Sequence, residues 1–394
     1  MMNLRHSLLL TTLAFGAGLG FTLWQQNKFP GVEAPQPATQ EAPQQEPPAQ
    51  IKQEIRSDEF TLRLLQAAMQ CQEGNILLAP HALAENLGIL QELSQGDTKA
   101  ELETLHLPTE RQTAAEEAGA VAFLFSENTL NYCDDTPADS TIPVPMEGHA
   151  GEPLVLLNSL LADATGEENA HFINGDHLAE GTRIISFSAL HLAPTWQLPL
   201  QSFKTPNADF YNADGSMPRI RMLQCSGTIR RAQAADGSWQ AVALFMKLSP
   251  QSPEDECLLL ILPNNNSARR FAEQWDVAQI NAIRKALAEA EPTPLCVEFP
   301  RLVFSPPTQD LSPLLQTLGL KKLLTPEADL SKLATDTPLY LNAALLKCRI
   351  PITENTVNEP GGIPDIRFDK PFIWCIGSLS TPAPPYALGI VENL

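Results

Sequence analysis

Positive charge is the first shortage in this 394-residue chain: 26 Lys and Arg stand against 46 Asp and Glu, a formal net charge of −20. Phosphate backbones and anionic lipid repel such a surface, which argues against nucleic acid as a partner. The surplus carboxylates serve solubility first. The motifs of enzyme chemistry are missing too. There is no GxSxG, HExxH, P-loop or GxGxxG, so a catalytic reading has nothing to rest on. Seven cysteines follow no CxxC or other metal-ligand spacing, and none precedes Cys71, which excludes a lipid-modified N-terminal cysteine. Seven is odd, so at least one lacks an intramolecular partner; several fall in apolar runs, where a thiol acts as a small hydrophobe. The seven histidines are scattered. His171 and His177 with Glu168 and Asp176 come nearest to a metal set, but their spacing matches no known geometry and they read as a loop. No metal or cofactor is implied.

What is present divides into three segments. Arg5 and His6 precede SLLLTTLAFGAGLGFTLW, an uncharged run from Ser7 to Trp24 that is about the minimum length for a membrane span. Trp24 stands where an interfacial aromatic would stand. Small residues at Ala14, Gly16, Ala17 and Gly18 also suit signal-peptidase cleavage. Residues 1–28 therefore read as a signal anchor or a signal peptide. Residues 29–56 begin with FPGVEAPQPATQEAPQQEPPAQ, almost without large apolar side chains, and read as a Pro/Gln-rich disordered linker. At ~3.1 Å per residue the Pro-rich stretch would hold a domain roughly 70 Å from a bilayer. Residues 57–394 form the globular part, and 43% apolar composition lets it bury a sizeable core.

Within that part, Ser57 is expected to cap a helix carrying Phe60, Leu64 and Ala68. A second helix after Pro80 puts Leu83, Leu87 and Leu90 on one face. Thr98 and Glu101 suggest a capping box for a third helix, ending near Leu107-Pro108. VAFLF (121–125) reads as a buried strand, 133–152 as a polar loop, and 154–164 as a helix. Strands are expected at 183–192, 241–248, 257–262, 295–304, 371–376 and 386–391, with helix over 267–290. The run 338–350 fits helix or strand equally. The fold class is α+β, a single large domain.

Eight stretches then resemble the serpin family, in the family's order. NILLAPHALAENLGIL with Gly96-Asp97-Thr98 comes first, then IISFSALHLAPTWQLPL ending in Trp196. ADFYNADGSMPRIRML with GTIRRA, AVALFMKL with CLLLILP, and VEFPRLVF follow. DLSPLLQTLGLKKLL with ADLSKL, LYLNAALLKCRI, and the closing FDKPF and GIVEN complete the set. The resemblance covers about 57–394 and is bacterial-type in setting. It implies helices with three β-sheets and a reactive-centre loop ahead of FDKPF. Inhibitory serpins offer that loop to a serine or cysteine protease; after cleavage it inserts as a new strand in the large sheet.

The loop here makes insertion difficult. Between Glu354, which matches the acidic residue at the family's hinge, and Phe368 there are 13 residues, 355–367. That is roughly ten fewer than inhibitory members carry. The candidate binding residues are Asn355, Thr356, Val357, Asn358, Glu359, Pro360, Gly361, Gly362, Ile363 and Pro364. Small residues are missing from the hinge, Pro360 lacks a ladder N–H, and Gly361-Gly362 weakens a strand. A short connection with Pro360-Gly361-Gly362 at its turn is expected. The family's polar shutter cluster maps to Ala79, Ala82, Ser188 and Leu346, three of which have no hydrogen-bonding side chain. Trp196, at the family's breach position, reads as buried core. Lys99 and Arg111 lie among Glu101, Glu103, Glu110, Glu116 and Glu117, so no heparin-like polyanion site is expected. The implied role is non-inhibitory binding or structural display outside the membrane, or secretion if the N-terminus is cleaved, with membrane contact only through residues 7–24. The alternative is a protease inhibitor acting reversibly through the short loop. The partner implied is a protease or another protein, and the chain is not an enzyme.

Overall fold

The computed structural model describes residues 49–108, 119–137, 140–146, 151–165, 171–250, 254–265, 267–356, 360–380 and 383–394. The apolar run 7–24 and most of the expected linker lie outside the described residues. Among the described residues, no helix is long and apolar enough to cross a membrane. The helices are α1 (Ala49–Cys71), α2 (Pro80–Leu93), α3 (Gly96–Glu103), α4 (Gly151–Thr165), α5 (Ala268–Ala272), α6 (Val277–Glu289) and α7 (Ser312–Thr317). The first strands are β1 (Ile76–Leu78), β2 (Ala120–Glu127), β3 (Ile142–Val144), β4 (Ile184–His191), β5 (Thr195–Trp196) and β6 (Leu200–Ser202). Next come β7 (Ala208–Asp209), β8 (Arg219–Ile220), β9 (Met222–Gln233), β10 (Trp239–Lys247), β11 (Glu256–Pro263) and β12 (Thr293–Pro300). The chain finishes with β13 (Leu302–Phe304), β14 (Gln309–Asp310), β15 (Ala343–Ile352), β16 (Ile366–Arg367), β17 (Phe372–Ser378) and β18 (Ala387–Val391).

Three sheets result. The first runs β13-β15-β4-β2-β3, with β14 also on β15. β9 is long enough to serve the other two. Its first half pairs with β6 on one side and β12 on the other, and β12 carries β16. Its second half pairs with β10 and leads through β11, β17 and β18 to β1. β7 and β8 form a small separate ribbon.

Both faces of the first sheet are covered, and this explains why its central strands read as unbroken apolar runs rather than alternating ones. Ile185, Phe187, Ala189, Ala343 and Leu345 face one core beneath α4, with Leu157, Leu161 and Phe172. The alternate residues Ile184, Leu190, Ala344, Leu346 and Ile350 face the main core with α2. Strand period two thus sends neighbours into different cores. The uncertain run at 338–350 is therefore strand from Ala343 onward, parallel to β4.

Several local expectations change. α1 begins at Ala49, not at Ser57, because AQIKQEIR is rich in straight-chain helix formers. Ser57 lies inside the helix and its carbonyl accepts the Thr61 hydroxyl at 2.7 Å. Residues 49–56 of the expected linker are thus helical. Thr98 and Glu101 form no capping box; Thr98 Oγ1 accepts from Asp329 N at 2.9 Å and Glu101 accepts from Lys322 N at 2.9 Å. Tertiary donors took the side chains that local capping would have used. The expected helix 267–290 breaks into α5 and α6, the second opened by an Asp276–Gln279 capping box. Inside the expected loop 133–152, β3 adds a short edge strand parallel to β2.

Candidate functional site

The described parts of the segment between β15 and β16, residues 353–356 and 360–365, contact β6, β9 and β12. It is tied down at both ends. Glu354 meets Arg301 Nε at 2.8 Å. Asn355 N donates to Leu200 O at 3.1 Å, and the Asn355 side-chain oxygen accepts from Leu200 N at 2.7 Å, so the residue caps the open edge of β6. Farther along, the Gln224 side chain of β9 donates to Gly362 O at 3.1 Å. Asp365 then grips Cys296 of β12 twice: its N–H donates to Cys296 O at 2.8 Å and its carboxylate accepts from Cys296 N at 2.8 Å. Ile366 continues as a parallel partner of Val297, and Arg367 pairs with Glu298.

Burial opposes ionisation of Glu354, but a main-chain hydrogen bond, Arg301 and the more distant Arg221 outweigh it. The carboxyl is held below its ordinary value. Both partners of the Arg301–Glu354 pair are about one-third exposed (34% and 31%), so the pair positions the hinge more than it stabilises the fold.

Of the residues singled out from sequence, Asn355, Gly361, Gly362 and Ile363 are exposed, and Thr356, Pro360 and Pro364 are half-buried. Val357, Asn358 and Glu359 lie outside the described residues. The chain bends at Gly362 but forms no hydrogen-bonded turn at Pro360-Gly361-Gly362. Neither glycine is in the left-handed region. A side chain at Gly361 would meet open space, and one at Gly362 would reach Cys296 Sγ at an ordinary 3.9 Å. The described part of this connection forms a strap, held by hydrogen bonds to neighbouring strands rather than by left-handed glycine dihedrals.

In the first sheet, β15 and β4 are hydrogen-bonded directly, from Ala343 opposite Ile185 to Arg349 opposite His191. Any strand entering between them must open that ladder. Three of the four shutter positions meet here. Leu346 lies directly across from Ser188, and Ser188 Oγ contacts Ala82 O at 3.5 Å; Ala79 precedes α2. All four are buried. The sequence reading missed Asn86. It is fully buried on α2 and donates to Phe187 O at 3.0 Å and Ser188 Oγ at 2.8 Å, clipping the helix to β4. Its signal was available: Asn86 is three residues after Leu83 and four before Leu90, within the apolar face. Trp196 is half-buried, not buried, because β5 is a two-residue strand beside Met246 at the rim of the core.

Among the described residues the histidines form no competing site. His81 faces Glu85 at 3.4 Å, His106 faces Glu59 at 3.1 Å, and His177 Nδ1 accepts from Asn174 N in a local capping box. Among the described residues no cluster of three or more His, Cys, Asp or Glu is arranged to hold a metal ion. Lys99, from the region where no polyanion site is expected, pairs with Glu103 at 3.7 Å; Glu110, Arg111, Glu116, Glu117 and Glu168 lie outside the described residues.

A family model described as serpin (serine protease inhibitor) matches residues 149–389. The chain belongs to the serpin family. Among curated relatives, Iripin-8 of Ixodes ricinus is 23% identical over 367 residues, spanning 81% of this chain and 88% of that protein. A serine protease inhibitor of Cyanea capillata is 21% identical over 239 residues, spanning 58% of this chain and 62% of that protein. Among solved structures, uncleaved ovalbumin matches with a TM-score of 0.73 at 15% identity, over 87% of this chain and 100% of the other. Maspin matches with a TM-score of 0.74 at 15% identity, over 87% of this chain and 98% of the other. At such identities the structures speak for the fold alone: the serpin fold of helices on three sheets, in one domain.

Proposed function

We propose that this serpin keeps its loop outside the sheet and works by reversible binding, not by the suicide mechanism that inhibitory serpins use. One observation carries the proposal: a 13-residue connection, 355–367, strapped to β6, β9 and β12 and interrupted by Pro360. To insert beside β15, the chain would have to reverse after Ile352. That movement breaks the Glu354–Arg301 pair and both Asn355–Leu200 bonds. Pro360 would fall inside the new strand, where its ring removes one ladder bond and crowds the neighbouring strand. Inserting Glu359 would add a charge to a covered sheet unless it turned outward.

The second reading, a reversible protease inhibitor, draws support from the exposed middle of the strap, where Gly361, Gly362 and Ile363 face solvent. We further propose the bacterial-type arrangement in which residues 1–28 anchor or export the chain and the Pro/Gln-rich segment spaces the domain from the membrane.

The test is incubation of the purified full chain with a panel of serine and cysteine proteases, followed by denaturing electrophoresis. Reversible inhibition or no inhibition, without a covalent band, is the expected result. A denaturant-stable adduct at the summed mass would overturn the proposal.

A further inference from the structure

β11 and β17 are antiparallel neighbours in which Cys257 stands opposite Gly377 and Leu259 opposite Cys375. Cys257 and Cys375 are therefore diagonal neighbours on one face of the sheet, and Gly377 brings no side chain between them. Both line a cavity of about 80 Å³ enclosed by that face and by helices α1 and α6. Buried thiols in strands read first as small hydrophobes. This pair differs in two respects. The two residues border open space rather than only packed side chains: Cys257 is 1% exposed, but Cys375 is half-buried, so the pair is reached from the Cys375 side. The second respect is charge. Arg284 of α6 lines the same cavity, where Asp58 of α1 holds its guanidinium at 2.6 Å. Burial pushes both thiols up, Cys375 to about 12; each thiol acts on the other's environment at Cys257, where Cys375 adds to the rise, and Arg284 opposes it at both. A guanidinium in this position offsets the negative charge that two thiols acquire when they ligate a cation.

We propose that Cys257 and Cys375 form a two-coordinate site for a soft monovalent cation, cuprous copper. Thiolate ligands select Cu(I). Among the described residues no third His, Cys, Asp or Glu joins the two sulfurs in a metal-holding group. That donor set is too small for zinc, which takes four ligands in structural sites, and lacks the oxygens that calcium and magnesium require. Binding replaces two S–H bonds by two S–Cu bonds and releases two protons to solvent; copper keeps its oxidation state, so no oxidant or reductant is involved. The complex carries one negative charge, facing Arg284. Leu62, Leu65, Ile261 and Ile283 supply a largely apolar lining that keeps water from the ion. The bound ion cross-links β11 to β17 beneath α1 and α6.

The experiment titrates the reduced full chain with cuprous ion, added without oxygen as its acetonitrile complex, against bicinchoninate as a competing chelator. The expected result is one ion retained per chain, two protons released per ion, and an X-ray absorption spectrum with sulfur neighbours alone. Cys257→Ala and Cys375→Ala should each lose the retained ion, whereas Cys71→Ser, which changes an exposed thiol elsewhere, should keep it. Copper should raise the Tm of the parent chain and leave that of the two alanine variants unmoved. Melts without copper report whether each variant has kept its fold. The proton count and the absorption spectrum are read on the parent chain, so they decide the matter even where a variant melts early. No ion held against the chelator, retention by both alanine variants at the parent's level, or nitrogen or oxygen neighbours in the spectrum would overturn the proposal.

Discussion

Asn86→Ala tests whether the clip between α2 and β4 holds the closed sheet. The substitution removes two donated hydrogen bonds, 3.0 Å to Phe187 O and 2.8 Å to Ser188 Oγ. At about 1 kcal/mol each, their loss costs ~2 kcal/mol, and Ser188 Oγ keeps only its long contact to Ala82 O, adding ~1 kcal/mol. A residual cavity of roughly 25 Å³ adds ~0.6 kcal/mol. Against this, Asn86 Oδ1 is buried without a hydrogen-bond partner in the native chain, so deleting it returns ~1 kcal/mol. The expected cost is about 2–3 kcal/mol, or roughly 3–4 °C in Tm for a domain of this size. Replacing both members, as Asn86→Leu with Ser188→Ala, should recover most of the loss, because apolar groups would then face apolar groups. A double-mutant cycle built from Asn86→Ala and Ser188→Ala, followed by denaturant melts, should give a coupling of about 1 kcal/mol. A cost below ~0.5 kcal/mol with additive single substitutions would refute the clip.

Four further outcomes follow from the same geometry. Because the Glu354 carboxyl is held below its ordinary value in the folded chain, its contribution is present above the unfolded carboxylate range and is lost as pH falls through the depressed folded value. Hydrogen exchange at the Asn355 amide should therefore show less protection in acid than the intrinsic exchange rate accounts for, and Arg301→Ala should reproduce that loss at neutral pH. Gly361→Ala and Gly362→Ala should be tolerated or stabilise by up to about 1 kcal/mol, since neither needs left-handed backbone and both have room. Gly389→Ala should cost about 3 kcal/mol or more in a melt, because its Cβ would run into Trp374 Nε1 and approach Ile76 O at 2.7 Å. Alkylation of the native chain at neutral pH, read by peptide mapping, should label exposed Cys71 and spare Cys225 and Cys348. Burial pushes both latter thiols up to about 12, with neighbouring Cys296 adding to the effect at Cys225 and Lys347 opposing it at Cys348.

Much of the fold was legible because long apolar strands and amphipathic helices announce themselves. β4, β10, β11 and α2 lie close to where their patterns put them. The run containing β15 was ambiguous for a physical reason: a strand buried on both faces has no alternation to separate it from a buried helix. Thr98 and Glu101 misled because capping side chains are also tertiary acceptors, and here distant N–H groups claimed them. At the candidate site, the position of the loop and its Pro360 could be read from sequence. The strap could not, since Leu200, Gln224, Cys296 and Arg301 come from segments far apart in the chain and only the sheet brings them under 354–365. Asn86 fell between these cases, a buried polar residue whose spacing could have exposed it.

The central claim is that the loop stays out of the sheet, and the melting temperature of the nicked protein tests it most directly. A protease that cuts once within 355–367 leaves the upstream segment free to insert if the sheet accepts it. Insertion would add on the order of ten ladder hydrogen bonds at ~1 kcal/mol each and raise Tm by about 10 °C or more. A nicked chain melting within about 2 °C of the intact chain is the predicted result, and a rise of that larger size would contradict it.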